Sequence, residues 1–208
     1  MTILIKRLLL SFILLLSICS FAQDEFDFDS DFEFDSEPPI TFNATRIISG
    51  HSVEVLPQKT FEMRIEHRFG DIAGTNGGVQ TMFGFDNVTD MRIALEYGMT
   101  EKLMLGFGRC KGTGVPYRSL LDGFVKYRLF EQVKDSMPLS CTIVGGATFT
   151  YQKASSDISN VNHFPKTTHR FAYFSQLNLA RRFGKFLSVS LMPTLVHRNY
   201  VADNDINS

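Results

Sequence analysis

Apolar and polar residues alternate along seven stretches of the chain, and each stretch predicts a β-strand with one apolar and one polar face. In the first stretch Phe61, Met63 and Ile65 alternate with charged side chains. The same parity holds in the later stretches, with aromatic residues gathered near their ends. The predicted strands span 60–69, 89–98, 103–110, 120–130, 139–151, 169–183 and 186–198.

The links between these stretches alternate between long and short. Links 99–102 and 184–185 are tight, whereas 70–88, 111–119 and 152–168 are long and polar. Outer-membrane barrels have short periplasmic turns and longer outer loops, and a soluble sandwich has no reason to show this asymmetry. We therefore expect an all-β, antiparallel, up-and-down transmembrane β-barrel, with its apolar face in lipid and its charged face toward the interior.

Two features fit a closed barrel poorly. Pro193 lies inside the last predicted strand, where it removes a ladder hydrogen bond, so we expect a bulge there. Seven is also an odd number, and residues 203–208 resemble the start of an outer loop. Because bare strand edges are unfavourable in lipid, we expect an incomplete barrel with about seven or eight strands of a larger one. The chain would then be an N-terminal fragment or a truncated reading frame.

The chain before the first strand begins with a predicted signal peptide, residues 1–22. Lys6 and Arg7 precede an apolar run, and small residues at 20 and 22 provide a cleavage site. The run is shorter than the roughly 20 residues that a transmembrane helix needs. No later segment is long and apolar enough either, so a membrane protein of this sequence must be a barrel.

Three further domains follow the signal peptide. Residues 23–39 predict an acidic, Phe-rich disordered tail, because like charges repel and the composition buries little apolar surface. Its Phe residues could instead dock on a partner or on a strand edge. Residues 40–59 predict a periplasmic segment or an extra strand. We expect residues 60–208 to form the N-terminal part of the β-barrel domain.

Charge is distributed unevenly along the chain. Residues 24–37 hold eight acidic side chains and no basic ones, whereas residues 38–208 hold 14 acidic and 19 basic ones, a net charge of +5. These cations alternate with apolar residues and form no patch, so we expect no nucleic-acid partner. Cys110 and Cys141 fall near opposite ends of nearby strands, which predicts neither a disulfide nor a metal site.

Seven segments carry a resemblance to known proteins: TRIISGHSVEVLP (45–57), IEHRFGDIAG (65–74), FGFDN (83–87), LEYGMTEKLMLGFGR (95–109), DGFVKY (122–127), RRFG (181–184) and MPTLVHRN (192–199). Through these segments the chain resembles a family of β-barrel proteins of unknown function from Gram-negative bacteria. The resemblance implies a barrel in the outer membrane, without an established reaction or ligand. Members of that family run longer, with further strands after the last matching segment, which again implies a missing C-terminal part.

Charged side chains on the interior face are the main candidates for a functional site. They could line a selective pore or, if two carboxylates converge, act as a general acid and base. The alternative is a ladder of opposite charges that fills a narrow interior and fixes the strand register. The candidates that line the lumen are Glu62, Arg64, Glu66, Arg68, Arg92, Glu96, Asp122, Lys126 and Arg128.

Histidines and catalytic motifs add little to this site. His67, His169 and His197 fall near outer strand ends, where an amphipathic ring needs no ligand, and His51 fits a turn. The sequence contains neither GxSxG nor HExxH. We therefore expect no enzyme, no metal and no cofactor.

Two functions remain open for such a barrel. The first is a passive channel or ligand-gated conduit whose interior charges set its preference. The second is a structural or scaffolding barrel with a plugged interior, which recruits partners through its acidic tail or outer loops. Either would lie in the outer membrane of a Gram-negative bacterium. The expected partners are outer-membrane lipid, the barrel-assembly machinery and a periplasmic protein that binds the acidic tail.

Overall fold

The computed structural model describes residues 40–48, 50–86, 88–112, 114, 118–134, 136–157, 160 and 162–200. The acidic tail and the signal peptide lie outside these residues. No helix in the described ranges is long and apolar enough to cross a membrane. The strands are β1 (Arg46–Ile47), β2 (Gly50–His51), β3 (Phe61–Phe69), β4 (Val88–Gly98), β5 (Leu103–Lys111), β6 (Ser119–Phe130), β7 (Ser140–Thr150), β8 (Phe171–Phe183), β9 (Leu187–Leu191) and β10 (Thr194–Arg198), and two 3-10 segments span Val79–Gly84 and Thr167–Arg170.

Strands β3 to β10 form one antiparallel sheet that curls into a half-barrel. The sheet order is β10-β8-β7-β6-β5-β4-β3, and β9 also pairs with β8. Sequence neighbours are therefore spatial neighbours throughout, as in an up-and-down barrel. The predicted fold class is confirmed, and among the described strands β3 and β10 stand at the two edges of the sheet.

Every predicted strand is present, with ends that differ by two residues or less. The last one is divided into β9 and β10 around Pro193. Leu191 pairs with Leu179 and Thr194 with Gln176, so equal lengths of chain separate these pairs on both strands. The predicted bulge is therefore wrong. Pro193 lacks an N–H group but keeps its place in the register, and its carbonyl accepts a hydrogen bond of 3.1 Å from the Leu177 amide.

The two faces of the sheet differ as the alternation predicts. Cross-strand pairs join odd-numbered residues to odd-numbered ones, as in Leu105–Val125 and Val125–Gly145. The odd-numbered positions form the outward, convex face, where Ile65 is 56 % and Leu95 is 56 % exposed. Even-numbered residues form the concave face, which includes fully buried polar side chains. Apolar outside and polar inside is the arrangement that a lipid environment requires.

A charged residue on the outward face should be costly near the middle of the membrane. We expect Val125→Arg to lower the free energy of unfolding in lipid vesicles by about 2–4 kcal/mol. Leu187→Arg, also outward but at the start of β9 beside a short link, should cost about 0–1 kcal/mol. Urea unfolding in vesicles measures both. Equal and small costs would show that this face does not contact lipid.

Candidate functional site: the interior hairpin and its charge cluster

Residues 40–48 and 50–57, here called the interior hairpin, lie on the concave face of the sheet. Within the hairpin β1 pairs with β2, so the segment forms a small ladder of its own and adds no strand to the main sheet. One end is held where Arg182 Nη1 donates to the Ile40 carbonyl at 2.6 Å. Just past the other end, the Lys59 amide donates to the Gly98 carbonyl at 2.7 Å. Both ends therefore lie beside short links, at the same end of the half-barrel.

Gly98 allows the chain to enter at this point. A Cβ atom there would lie 2.1 Å from the carbonyl oxygen of Pro57 and 2.7 Å from that of Leu56. Since the obstructing atoms belong to the backbone, a larger residue would displace the chain that leads from the hairpin into β3.

Three strands hold the hairpin by donating side-chain hydrogen bonds to its backbone. Lys126 Nζ on β6 donates to the Thr45 carbonyl at 3.0 Å. Thr142 Oγ1 on β7 donates to the Val53 carbonyl at 2.8 Å, and Asn178 Nδ2 on β8 donates to the Ser52 carbonyl at 3.1 Å. The three donor side chains are fully buried. The carbonyls of Ser52 and Val53 lie beyond the β1–β2 ladder, whereas that of Thr45 also accepts from the Ser52 amide at 3.0 Å. The side-chain bonds matter most at Ser52 and Val53, because an unsatisfied buried carbonyl would be costly.

An apolar cluster lies between the hairpin and the sheet. Val55 and Leu56 of the hairpin pack with Met104, Phe124 and Val144, and Phe174 borders the cluster. The inward aromatic rings fit because two neighbouring inward positions are glycine. A Cβ atom on Gly106 would lie 2.1 Å from the Phe124 ring, and one on Gly146 would lie 2.4 Å from the Phe174 ring.

Glu96 is the centre of the charge cluster beside the hairpin. Its side chain is fully buried, and its carboxylate lies 3.4 Å from Arg46, 3.7 Å from Arg64 and 3.9 Å from Arg92. Arg46 comes from the hairpin, and its guanidinium also lies over the Phe124 ring at 5.1 Å from the ring centre. A buried carboxylate is tolerated only when cations or donors compensate it.

Arg92 joins this centre to the neighbouring carboxylates. It contacts Glu66 at 2.8 Å and Asp122 at 2.6 Å, so one guanidinium bridges β3, β4 and β6. Gly108 makes room for this bridge, because a Cβ atom there would lie 2.8 Å from Asp122 and 2.9 Å from Arg92.

All nine charges expected to line the lumen lie on inward positions, and seven of them belong to one group around Glu96. Glu62 stands opposite Glu96 in the register, an unfavourable pairing of like charges, and Arg64 contacts both. Lys126 reaches the group through Thr45, which also bonds to Glu96. Arg68 is separate and pairs with Asp90 near the long links. Arg128 is also separate, and contacts Glu54 of the hairpin and Glu131.

The sequence reasoning missed the hairpin side of this site, and His51 most clearly. His51, expected in a turn, is 3 % exposed and lies against Phe124 with 4.4 Å between ring centres. Its amide donates to Gln176 Oε1 at 3.0 Å. Burial, followed by the nearby cations Arg46, Lys126, Arg92 and Arg64, lowers the pKa of His51 from 6.5 to about 2. It is therefore neutral in the folded protein.

The other histidines that the structure describes and the two cysteines lie outside this cluster. Among the described residues, no three His, Cys, Asp or Glu side chains lie close enough to hold a metal ion. His169 stacks on Tyr200 and His197 on Tyr173, with ring centres 5.0 and 6.4 Å apart. Cys110 and Cys141 are free thiols.

Comparison with known proteins agrees with this architecture. Residues 42–208 match the family model described as a membrane bound beta barrel domain (DUF5777). The chain belongs to this family of membrane-bound β-barrel domains. No curated protein and no solved structure matches it significantly. The family's domain includes nearly all of the interior hairpin along with the strands, which agrees with the contacts between them.

Loss of the Glu96 charge should destabilise the domain strongly. We expect Glu96→Gln to lower the free energy of unfolding by about 3–5 kcal/mol, because it removes the carboxylate nearest to the largely buried Arg46 and leaves that guanidinium only Glu66, at 3.9 Å. Asp90→Asn is the matched control, since Arg68, its partner at 3.8 Å, is 65 % exposed, and such pairs contribute about 0–1 kcal/mol. Urea unfolding of both variants in vesicles is the measurement. Equal losses would refute the central role of Glu96.

His51 should make the folded state sensitive to acid. Its folded pKa of about 2 lies below the unfolded value of 6.5, so the unfolded chain takes up the proton first and stability falls as pH drops below 6.5. At about pH 5 the loss should reach about 2 kcal/mol relative to neutral pH. His51→Gln lacks this contribution, while all other titrating groups are shared. Unfolding midpoints of both proteins at neutral pH and at about pH 5 test this, and equal acid losses in both would contradict it.

Proposed function

We propose that this membrane-bound domain is a barrel with a plugged interior that serves as a structural or scaffolding element. The observation that carries the proposal is the position of the interior hairpin. Its backbone is held by buried side chains from β6, β7 and β8, and its Arg46 lies in the charge cluster. The charges that could select ions in an open pore are therefore engaged with the hairpin or with one another.

Burial supports the same proposal. Glu96 and Lys126 have no exposed surface, and Arg92 is 12 % exposed. A pore lining exchanges its contacts with water and passing ions, whereas these groups have protein partners at short distances. The same pairing favours a non-enzymatic role, and we assign no reaction to the cluster.

A second function, a conduit opened by withdrawal of the hairpin, is favoured by one observation. Both ends of the hairpin lie at the short-link end, so the segment can leave without threading through the sheet. Arg92, Glu66 and Asp122 would then remain on the concave face as a charged lining. In this second function, the channel is the state of the barrel after the hairpin has left its interior.

We place the protein in the outer membrane of a Gram-negative bacterium, with lipid and the barrel-assembly machinery as partners. The asymmetry of long and short links and the signal-like residues 1–22 support this location. The acidic residues 24–37 precede Ile40, which lies at the short-link end. A periplasmic protein that binds this acidic segment would therefore meet it where the hairpin enters.

Single-channel recording in planar bilayers tests the plugged interior. We expect no conductance steps from the wild-type protein, because the hairpin fills the concave face. The double variant Thr142→Val with Asn178→Leu removes two of the three side-chain bonds to the hairpin, and steps from this variant alone would favour the conduit that opens. Thr148→Val is the control, since Thr148 is inward on β7 but bonds to Ala172 within the sheet.

Two results would decide against parts of this proposal. Steady conductance by the wild-type protein would refute the plugged interior. If the double variant folds but shows no conductance steps, the conduit function is refuted and the scaffold function stands. If steps do appear, Arg92→Glu should shift the reversal potential, since Arg92 would line the opened interior.

A further inference from the structure

A groove of about 670 Å3 runs along the outward face of the sheet between β4 and β8. Gly123, Gly145 and Ala147 form its floor, and Phe107 and Tyr173 stand on either side. Phe107 is 60 % and Tyr173 is 44 % exposed, so the walls project from the sheet. The lining is almost wholly apolar.

The floor of this groove is open space. Gly123 pairs with Ala147, and Gly145 pairs with Val125, so small side chains meet across β6 and β7. A Cβ atom on Gly145 would meet no atom within 4 Å, and one on Gly123 would meet only the Gly106 carbonyl at 3.7 Å. Neighbouring side chains in the described part of the chain therefore do not fill the depression.

Cations stand at the long-link end of the groove. Arg109 is the next outward residue after Phe107 on β5, about 7 Å further along, and Lys111 follows it. Arg109 Nε donates to the Tyr151 hydroxyl at 2.8 Å, and its guanidinium lies 5.9 Å from the centre of that ring. This contact fixes the side chain above β6 and uses only Nε. Within the described ranges, its terminal nitrogens have no acceptor.

We propose that this groove binds an anionic membrane lipid, with an acyl chain over Gly123 and Gly145 and the phosphate at Arg109 and Lys111. The outward face of a membrane-bound barrel is surrounded by acyl chains, so an apolar groove there selects a chain. Guanidinium binds phosphate oxygens through paired N–H groups, and Tyr151 supplies the amphipathic ring typical of the headgroup level. Two adjacent cations favour a lipid with a net negative charge over a zwitterionic one, because the zwitterionic headgroup adds a cation beside its phosphate.

Native mass spectrometry of the detergent-solubilised protein with phosphatidylglycerol and phosphatidylcholine tests the site. We expect preferential retention of phosphatidylglycerol, and a loss of about fivefold in affinity for each of Arg109→Gln and Lys111→Gln, from roughly 1 kcal/mol per cation. Arg181→Gln is the matched control, because Arg181 is an outward cation over Phe183 near a short link. Gly145→Leu fills the groove and should reduce retention of both lipids.

Three outcomes would overturn the proposal. The first is equal retention of the two lipids by the wild-type protein, with the same retention in the Arg109→Gln and Lys111→Gln variants. The second is competition by glycerophosphate as strong as that by intact phosphatidylglycerol, which would show an anion site that does not use the groove. The third is conversion of dimer to monomer by Gly145→Leu without a change in bound lipid, which would make a second copy of the chain the occupant.

Discussion

The requirement that most outward side chains of the strands be apolar determines the rest of this structure. Side chains alternate across a strand, so an apolar outward face sends all ionised residues of β3, β4 and β6 to the concave side. Most of them are crowded and shielded from water there, and each shielded group needs a counter-charge or a donor. Arg92 provides both for two carboxylates on neighbouring strands.

The interior hairpin completes this compensation. The sheet alone contributes the cations Arg64, Arg92 and Lys126 to the group around Glu96, together with four carboxylates. Arg46 of the hairpin adds the missing positive charge, at 3.4 Å from Glu96. Hydrogen bonds run in the opposite direction, from sheet side chains to hairpin carbonyls. Each part therefore satisfies groups that the other leaves unpaired, and this mutual dependence explains how a short segment with little regular structure is held in place.

The sequence predicts the strands and their facing because alternation is local. Phe61 to Phe69 reveals its two faces within nine residues. The docking of the hairpin is not local, since the bond from Asn178 to Ser52 spans 126 positions. Thr142 and Asn178 also look like ordinary polar residues of a wet interior. The sequence holds one hint, since the predicted interior face carries nine charged residues and the segment before it contains Arg46 and His51. Only the structure shows which strands these two residues contact. The bulge predicted at Pro193 is absent, because the loss of one hydrogen-bond donor does not by itself change the strand register.

Charge balance also determines what an opened interior would prefer. If the hairpin leaves, Arg46 leaves with it, and the group around Glu96 keeps three cations against four carboxylates. The remaining pairs do not alter this difference, since Arg68 stays with Asp90, and Arg128 keeps Glu131 when Glu54 departs. A local excess of negative charge attracts cations and repels anions. The hairpin contributes one cation and one carboxylate to these contacts, Arg46 and Glu54, so its withdrawal leaves their net charge unchanged. The withdrawal would instead move the unbalanced negative charge from around Arg128 to around Glu96, which makes the surroundings of Glu96 the part of an opened interior that attracts cations.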